Sequence, residues 1–483
     1  MKKGVQLITY PDSLGRDLAE LHLVLSKHLA SCLTGVHILP FYPSSGDRGF
    51  SPLTYREPDA RFGTWEDVEK IAGDFDLVAD FMVNHLSRGS DEFLDFQEKG
   101  SDSPWAELFL PVARVREGGE FTPEELSMIY TRKPRAPWIE VEHADGSREN
   151  VWCTFSEEQI DLDAASETGR RFIRENLEFL ADRGAAMIRL DAFAYVTKKA
   201  GTSCFFLEPE IWEILGSIRD DLAGRGVEVL PEIHEHYSIP LKLAEKDYWV
   251  YDFALPMLVL HALYSGRADR LAHWFSICPE KQITTLDTHD GIGVVDVADL
   301  MTQEDIDFTC DALYKHGSNV SRRFSTEEYN NLDIYQINCT YYSALGEDDD
   351  AYLLARALQF FAPGIPQVYY VGMLAGRNDI DLVEETKNGR DINRHGYSVD
   401  EVESEINRPV VRKLLKLMEL RNTYPAFGGS FLLEDTGGGE QGRMVILRKG
   451  AGCAARLEAD LRKRHFRICL KEKFGAWEEW DFS

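Results

Sequence analysis

The sequence predicts an α/β fold, a (β/α)8 TIM barrel with two insertions on its C-terminal face and a small C-terminal β domain. Three observations predict it. Eight short apolar, β-rich runs recur along the chain, each followed by a longer segment of helical period. Several of these runs end in acids and histidines. Two of the intervals between runs are too long for simple connections.

In order, the runs are Val5 to Thr9, Gly35 to Pro40, Phe75 to Asn84, Met187 to Phe193, Glu228 to His234, Trp249 to Leu255, Ile283 to Asp290 and Ile365 to Gly372. Between them lie segments such as SETGRRFIRENLEFLAD, Ser166 to Asp182, whose apolar residues fall at helical spacing and whose first turn carries an acid. Strands alternating with helices imply a parallel sheet, and eight such units fit a closed barrel better than the alternative, an open doubly wound sheet. The chain has 483 residues, which at roughly 150 residues per domain leaves room for about three domains. The barrel is expected from residues 1–85, 167–290 and 351–424. Residues 86–166 read as one inserted domain, 291–350 as a smaller one, and the glycine-punctuated strands of 425–483 as the β domain. Both insertions are expected on the face where barrel active sites lie.

Composition narrows the partners. With 44% apolar and 28% charged residues the chain is an ordinary globular protein. A formal charge of −29 repels phosphate backbones and anionic lipid surfaces, which argues against nucleic acid or membrane as partner. Eight scattered cysteines contain no CxxC pair and read as reduced, mostly buried thiols. The start, MKKGVQLITY, runs straight into a strand pattern without a leader's apolar stretch, and no run of about 18 apolar residues occurs. A cytoplasmic location follows as the expectation.

The chemistry is written in the strand ends. The third run ends in Asp80-Phe-Met-Val-Asn84-His85, the fourth in Arg189-Leu-Asp191, the fifth in Glu232-Ile-His234 and the seventh in Asp287-Thr-His289-Asp290. Any one of these suits a satisfied polar strand end. Four together on one rim point to function, because unpaired buried charges are costly. Carboxylates from different strands, with histidines and an arginine, suit glycoside chemistry. Retaining transfer needs a carboxylate nucleophile and an acid group about 5–5.5 Å away. A further carboxylate can stabilise the oxocarbenium-like state. Arg189, two residues before Asp191 and on the same strand face, is expected to keep Asp191 ionised, whereas Glu232 needs a raised pKa to serve as acid.

These strand ends resemble the signature regions of the α-amylase family, and the longer stretches resemble its sucrose phosphorylase branch. The matching stretches are VQLITYPDSLG, GVHILPFYPSSGDRGFSPLTY, DFMVNH, IRLDAFAYVTKKAGTSCFF, LPEIHEHY, VYDFALP, TLDTHDGIGV, YQINCTYYSALG, GIPQVYYVGMLAG and NGRDINRH, covering the chain to about Phe427. The resemblance implies Asp191 as nucleophile, Glu232 as acid/base and Asp290 as transition-state stabiliser. It also implies a glucose-holding set of Asp47, Phe50, His85, Arg189, His289 and Arg390. No cofactor and no metal are implied, and no dense acidic loop of the kind a calcium site uses is present. A homodimer is an expectation of the family alone.

The resemblance further implies two small substrates, an α-glucoside and inorganic phosphate. Phosphate needs cations, and Tyr130-Thr-Arg132-Lys133-Pro-Arg135 is a basic cluster in an acidic chain. Arg135 is the expected phosphate ligand, with Arg132 its rival, while a solvated charged turn is the plain alternative. His234 and the loop from Leu332 to Gln336, with Asp333, Tyr335 and Gln336, are expected to face the leaving sugar or the incoming phosphate. The acceptor marks are mixed. Pro43 to Phe50 and Ile337 to Thr340 resemble sucrose 6'-phosphate phosphorylases, Leu332 to Tyr335 resembles sucrose phosphorylases, and Pro231 to His236 and Trp152 to Phe155 resemble glucosylglycerol phosphorylases. Tyr335, where a histidine suits a phosphosugar, and Asp333 favour an uncharged acceptor. A glucosidase or transglucosidase that ignores phosphate, and a silent sugar-binding barrel, are the rival readings.

Overall fold

The computed structural model describes residues 2–132, 135–318, 336–434 and 442–481. Every predicted run overlaps a strand: β1 (Gln6–Thr9), β2 (Gly35–Ile38), β3 (Asp76–Met82), β4 (Ala185–Asp191), β5 (Glu228–Pro231), β6 (Val250–Asp252), β7 (Gln282–Thr284) and β8 (Ile365–Tyr369). They form one parallel sheet in the order β6-β7-β8-β1-β2-β3-β4-β5, a nearly closed barrel. The fold class is the one expected.

The chain falls into two compact units. The first, residues 17–19 with 38–233, carries β3, β4 and β5. Here β3 and β4 run in register with Asp80 beside Arg189 and Met82 beside Asp191, and β4 meets β5 with Arg189 beside Leu230. The helix Glu167–Asp182 delivers the chain to β4. Ser166 caps it by accepting from the Gly169 amide at 2.9 Å, and Phe172, Ile173, Leu177 and Leu180 form its buried stripe. Residues 86–166 hold short helices and a hairpin, Trp138–Glu142 with Arg148–Trp152. A small core of Leu110, Val112, Ile129, Trp152 and Cys204 packs beneath them.

The second unit, residues 2–16, 20–37 and 234–483, carries β1, β6, β7 and β8. Its helix Leu255–Ser265 buries nine of eleven residues, which explains why no helical stripe separates it from β6 in the sequence. Arg356, fully buried, donates through Nη2 to both Asp287 oxygens at 2.8 and 2.7 Å and through Nη1 to Gln359 at 2.9 Å. A Cβ on Gly372 would lie 1.9 Å from Asp287 Oδ2 and 2.2 Å from Arg356 Nη2, so only glycine lets β8's extension pass this pair. Asp287 therefore serves the fold. The chain ends in a five-stranded antiparallel sheet, from Ser430–Glu434 to Glu478–Glu479. All eight cysteines are free thiols, and four of them are buried. No helix among the described residues is long and apolar enough to cross a membrane.

Candidate active site

In the first unit the strand-end residues gather on one guanidinium. Arg189 pairs through Nη1 with Asp80 and with Asp191 Oδ1 (2.9 Å), and through Nη2 with Glu232 Oε1 (3.0 Å). The Arg189 side chain is only 3% exposed, so three carboxylates share one positive charge in a dry setting. Full ionisation would leave two uncompensated charges, which burial penalises. Burial first, then the Glu232 carboxylate, push Asp191 well above the usual carboxylate range, and Arg189 pulls against them. The expectation that Arg189 keeps Asp191 ionised is thus met by a larger opposing effect. The further carboxylates beside the same cation thus favour the protonated form of Asp191.

The backbone is bent to suit. Ala192, directly after Asp191, sits in the left-handed region at φ 52°, and its N–H donates to Glu232 Oε2 at 3.0 Å. A non-glycine residue held there stores strain of about 1–3 kcal/mol, which structures tend to keep at functional sites. The Phe50 ring lies 5.8 Å from the Arg189 guanidinium. His85 Nε2 donates to the Phe50 carbonyl at 2.8 Å, and Gln159 Nε2 donates to the same oxygen at 3.0 Å. Beneath them Lys198, buried, reaches Asp161 Oδ2 at 2.5 Å and donates to Asn84 Oδ1 at 2.7 Å.

The basic turn adjoins this rim through aromatic rings. His85 meets Phe155 edge-on at 5.6 Å, Phe155 meets Tyr195 at 5.1 Å, and Tyr195 meets Phe205 at 4.9 Å. Tyr130 packs on Phe205 at 5.0 Å, and its amide donates to the Ser203 carbonyl at 2.8 Å. The turn that bears Arg132 and Arg135 is thereby tied to the loop that follows Asp191. Arg132 is half-buried, whereas Arg135 is exposed and paired with Glu157 at 2.6 Å.

The second unit gathers a different set. Asp290 lies 3.6 Å from His289 Nε2 and 3.3 Å from Arg390 Nη1. Burial alone would raise Asp290, but His289, Arg390, His234 and Arg394 outweigh it and hold its carboxyl well below the usual range. Arg394, buried, donates to the His289 carbonyl at 3.2 Å, and Asn393 Nδ2 donates to the Thr288 carbonyl at 2.8 Å. Asp290 stands six residues past the end of β7, on a loop rather than a strand. His234 stacks on Phe253 at 3.7 Å with 13° between the rings.

Most of the predicted residues lie among the described ones. Asp191, Glu232, Arg189, Phe50 and His85 come together in the first unit, and Asp290, His289, His234 and Arg390 in the second. Gln336 pairs with Gly293 in a short two-stranded ladder. Asp333, Tyr335 and the side chain of Asp47 lie outside the described residues. Sequence reading missed Asp80 as the third partner of Arg189. The signal was present, since the two fall on neighbouring parallel strands, but register is not legible in one chain.

A (β/α)8 barrel with a carboxylate pair on an arginine, and a further carboxylate held anionic, is the arrangement of a glycoside-acting barrel of the α-amylase class. Comparison with known proteins agrees. Residues 28–226 match the model of the alpha amylase catalytic domain. A sucrose phosphorylase of Streptococcus mutans is 53% identical over 476 residues, 98% of each chain. A glucosylglycerol phosphorylase of Marinobacter adhaerens is 45% identical over 434 residues, 90% of each chain. The crystal structure of a sucrose 6F-phosphate phosphorylase from Thermoanaerobacter thermosaccharolyticum superposes with a TM-score of 0.94 at 42% identity, covering 99% of this chain and 98% of that one. The chain belongs to the α-amylase family, within its branch of sucrose and related phosphorylases.

Proposed function

We propose that this protein is a retaining α-glucoside phosphorylase that converts sucrose, or sucrose 6'-phosphate, and phosphate into α-glucose 1-phosphate and fructose, or fructose 6-phosphate. The observation that carries the reading is the Arg189 clamp, with Asp191 Oδ1 at 2.9 Å and Glu232 Oε1 at 3.0 Å on one guanidinium. In this reading Glu232 is protonated when the donor binds and gives its proton to the leaving oxygen as Asp191 attacks the anomeric carbon. The glycosidic bond breaks, its electrons go to the leaving oxygen, and a covalent glucosyl ester forms on Asp191. Phosphate then attacks that ester, losing its proton to Glu232 and returning Asp191 as a carboxylate. Asp290, held anionic, stabilises the positive charge that develops on the sugar in both steps.

Sugar binding falls to Asp47, Phe50, His85, Arg189, His289 and Arg390, and phosphate to Arg135 or Arg132. The acceptor pocket is assigned to His234 and the stretch Asp333 to Gln336. Residues 86–166 and 291–350 are assigned as insertions bearing phosphate and acceptor contacts. We place the enzyme in the cytoplasm, where phosphate is available. Glucosylglycerol is the second reading, supported by the 45% identity to the Marinobacter enzyme. A phosphate-dependent assay of sucrose, sucrose 6'-phosphate and glucosylglycerol tests both. Glucose 1-phosphate from sucrose supports the first, preferential release from glucosylglycerol supports the second, and release of free glucose independent of phosphate refutes both.

A further inference from the structure

Apart from the rim, the first unit forms a cavity of about 190 Å³. Residues 53–56, the stretch that follows β3 and the helix Glu167–Asp182 contribute its walls. One water takes about 10–15 Å³ of such space, so the cavity has room for a molecule of about a dozen heavy atoms. Its apolar side is built from Leu53, Leu86, Tyr55 and Phe172. Phe172 meets Tyr55 at 6.5 Å and the half-buried Trp105 edge-on at 6.3 Å. The Tyr55 hydroxyl is engaged by Met82, accepting from its amide at 3.1 Å and donating to its carbonyl at 3.3 Å, and Met82 pairs with Asp191 in the sheet. Tyr55 thus stands between the cavity and the strand end that carries Asp191.

The other side of the cavity is polar. Asn176, 3% exposed, donates through Nδ2 to the Phe172 carbonyl at 2.8 Å, which leaves Oδ1 as the acceptor it offers the cavity. A buried amide oxygen without a donor is costly, and a ligand hydroxyl supplies one. Glu92 and Glu175 line the same space, and neither forms an ion pair among the described residues. Arg56, the cation of the lining, lays its guanidinium over the Phe179 ring at 4.8 Å. Burial holds the Glu92 carboxyl above its ordinary value, with Arg56 pulling against it. Two carboxylates against one guanidinium, in a chain of net charge −29, disfavour an anion, and the guanidinium disfavours an ammonium ion. A neutral ring of hydroxyls suits the whole lining. Its hydroxyls donate to Asn176, Glu92 and Glu175 and accept from Arg56, while its apolar faces rest on Trp105 and Phe172. We propose that this cavity is a second sugar site, apart from the reacting carboxylates, that takes one neutral monosaccharide. The inference does not rest on the phosphorylase reading, since it needs no turnover.

The full-length chain labelled with 5-fluorotryptophan carries the test, because Trp105 is a reporter inside the cavity. Its fluorine resonance, identified by absence in Trp105→Phe, is expected to shift saturably as D-glucose or D-fructose is added, with half-saturation at about 1–10 mM. Glu92→Ala and Arg56→Ala are each expected to weaken that binding about tenfold. Phe50→Ala, which alters the sugar contacts assigned to the reaction site, is expected to leave the titration within about twofold. No saturable shift with either sugar up to about 100 mM overturns the proposal. So does a shift that both lining variants leave unchanged, or one that Phe50→Ala abolishes, since it then reports the reaction site. A shift produced by methylammonium or by inorganic phosphate, but by neither sugar, overturns it as well.

Discussion

At the scale of single residues, the site separates carboxylates by their surroundings. Asp191 and Glu232 share a cation and burial pushes Asp191 up, whereas Asp290 is surrounded by positive groups and stays charged. Glu232→Gln is expected to lower kcat for a sugar leaving group by about 10²–10⁴-fold. α-Glucosyl fluoride, which needs no proton, should largely recover the glucosylation rate; an equal loss with both donors contradicts the assignment. Arg135 is paired with Glu157, which would compete with phosphate for it. If Arg135 is the ligand, Glu157→Gln lowers the KM for phosphate, and Arg135→Ala raises it more than Arg132→Ala does. Asp252 gives a prediction of the opposite kind. Burial pushes its carboxyl up to about 7 against donors from Trp274 and Leu255. Its proton is favoured by the fold, so its stabilisation is complete below the unfolded carboxylate value of about 3.9 and is lost as pH rises through about 7. Melting temperatures at about pH 5 and pH 8 should therefore differ less in Asp252→Asn than in the wild type, and an unchanged difference contradicts this.

At the scale of elements, the loop from Ala192 to Phe206 is the joint between Asp191 and the basic turn, and Lys198 pins it. Lys198→Met leaves Asp161 buried without its cation and is expected to cost about 3–5 kcal/mol in urea unfolding. A loss below about 1 kcal/mol would mean that Asp161 takes up a proton or finds another partner. The elements also show what a single sequence reveals. All eight strands were legible because each buried run is short and bounded by polar ends. Their limits were less so, since β6 spans three residues where the apolar run spans seven and runs on into a helix, Leu255–Ser265, that is largely buried. Asp191 and Glu232 were legible by position after a strand. Their sharing of Arg189 with Asp80 was not, because it depends on the register between β3 and β4. Asp287 looked as functional as Asp290 in the sequence, and only the buried Arg356 reveals it as structural.

At the scale of the whole molecule, a chain with a net charge of −29 takes an anion as substrate in the proposed reaction. Its field opposes phosphate over about a Debye length, roughly 10 Å at 0.1 M salt. Raising ionic strength is thus expected to lower the KM for phosphate while leaving that for sucrose unchanged, and a rise would show that the turn bearing Arg132 and Arg135 outweighs the global charge. The central claim is that glucose passes through Asp191 to phosphate. Glu232→Gln loaded with α-glucosyl fluoride, digested and read by mass spectrometry, tests it most directly. The account predicts one glucosyl unit on the peptide containing Asp191, discharged as α-glucose 1-phosphate when phosphate is added before digestion. A label elsewhere, or an Asp191 adduct that phosphate discharges no faster than water, contradicts it.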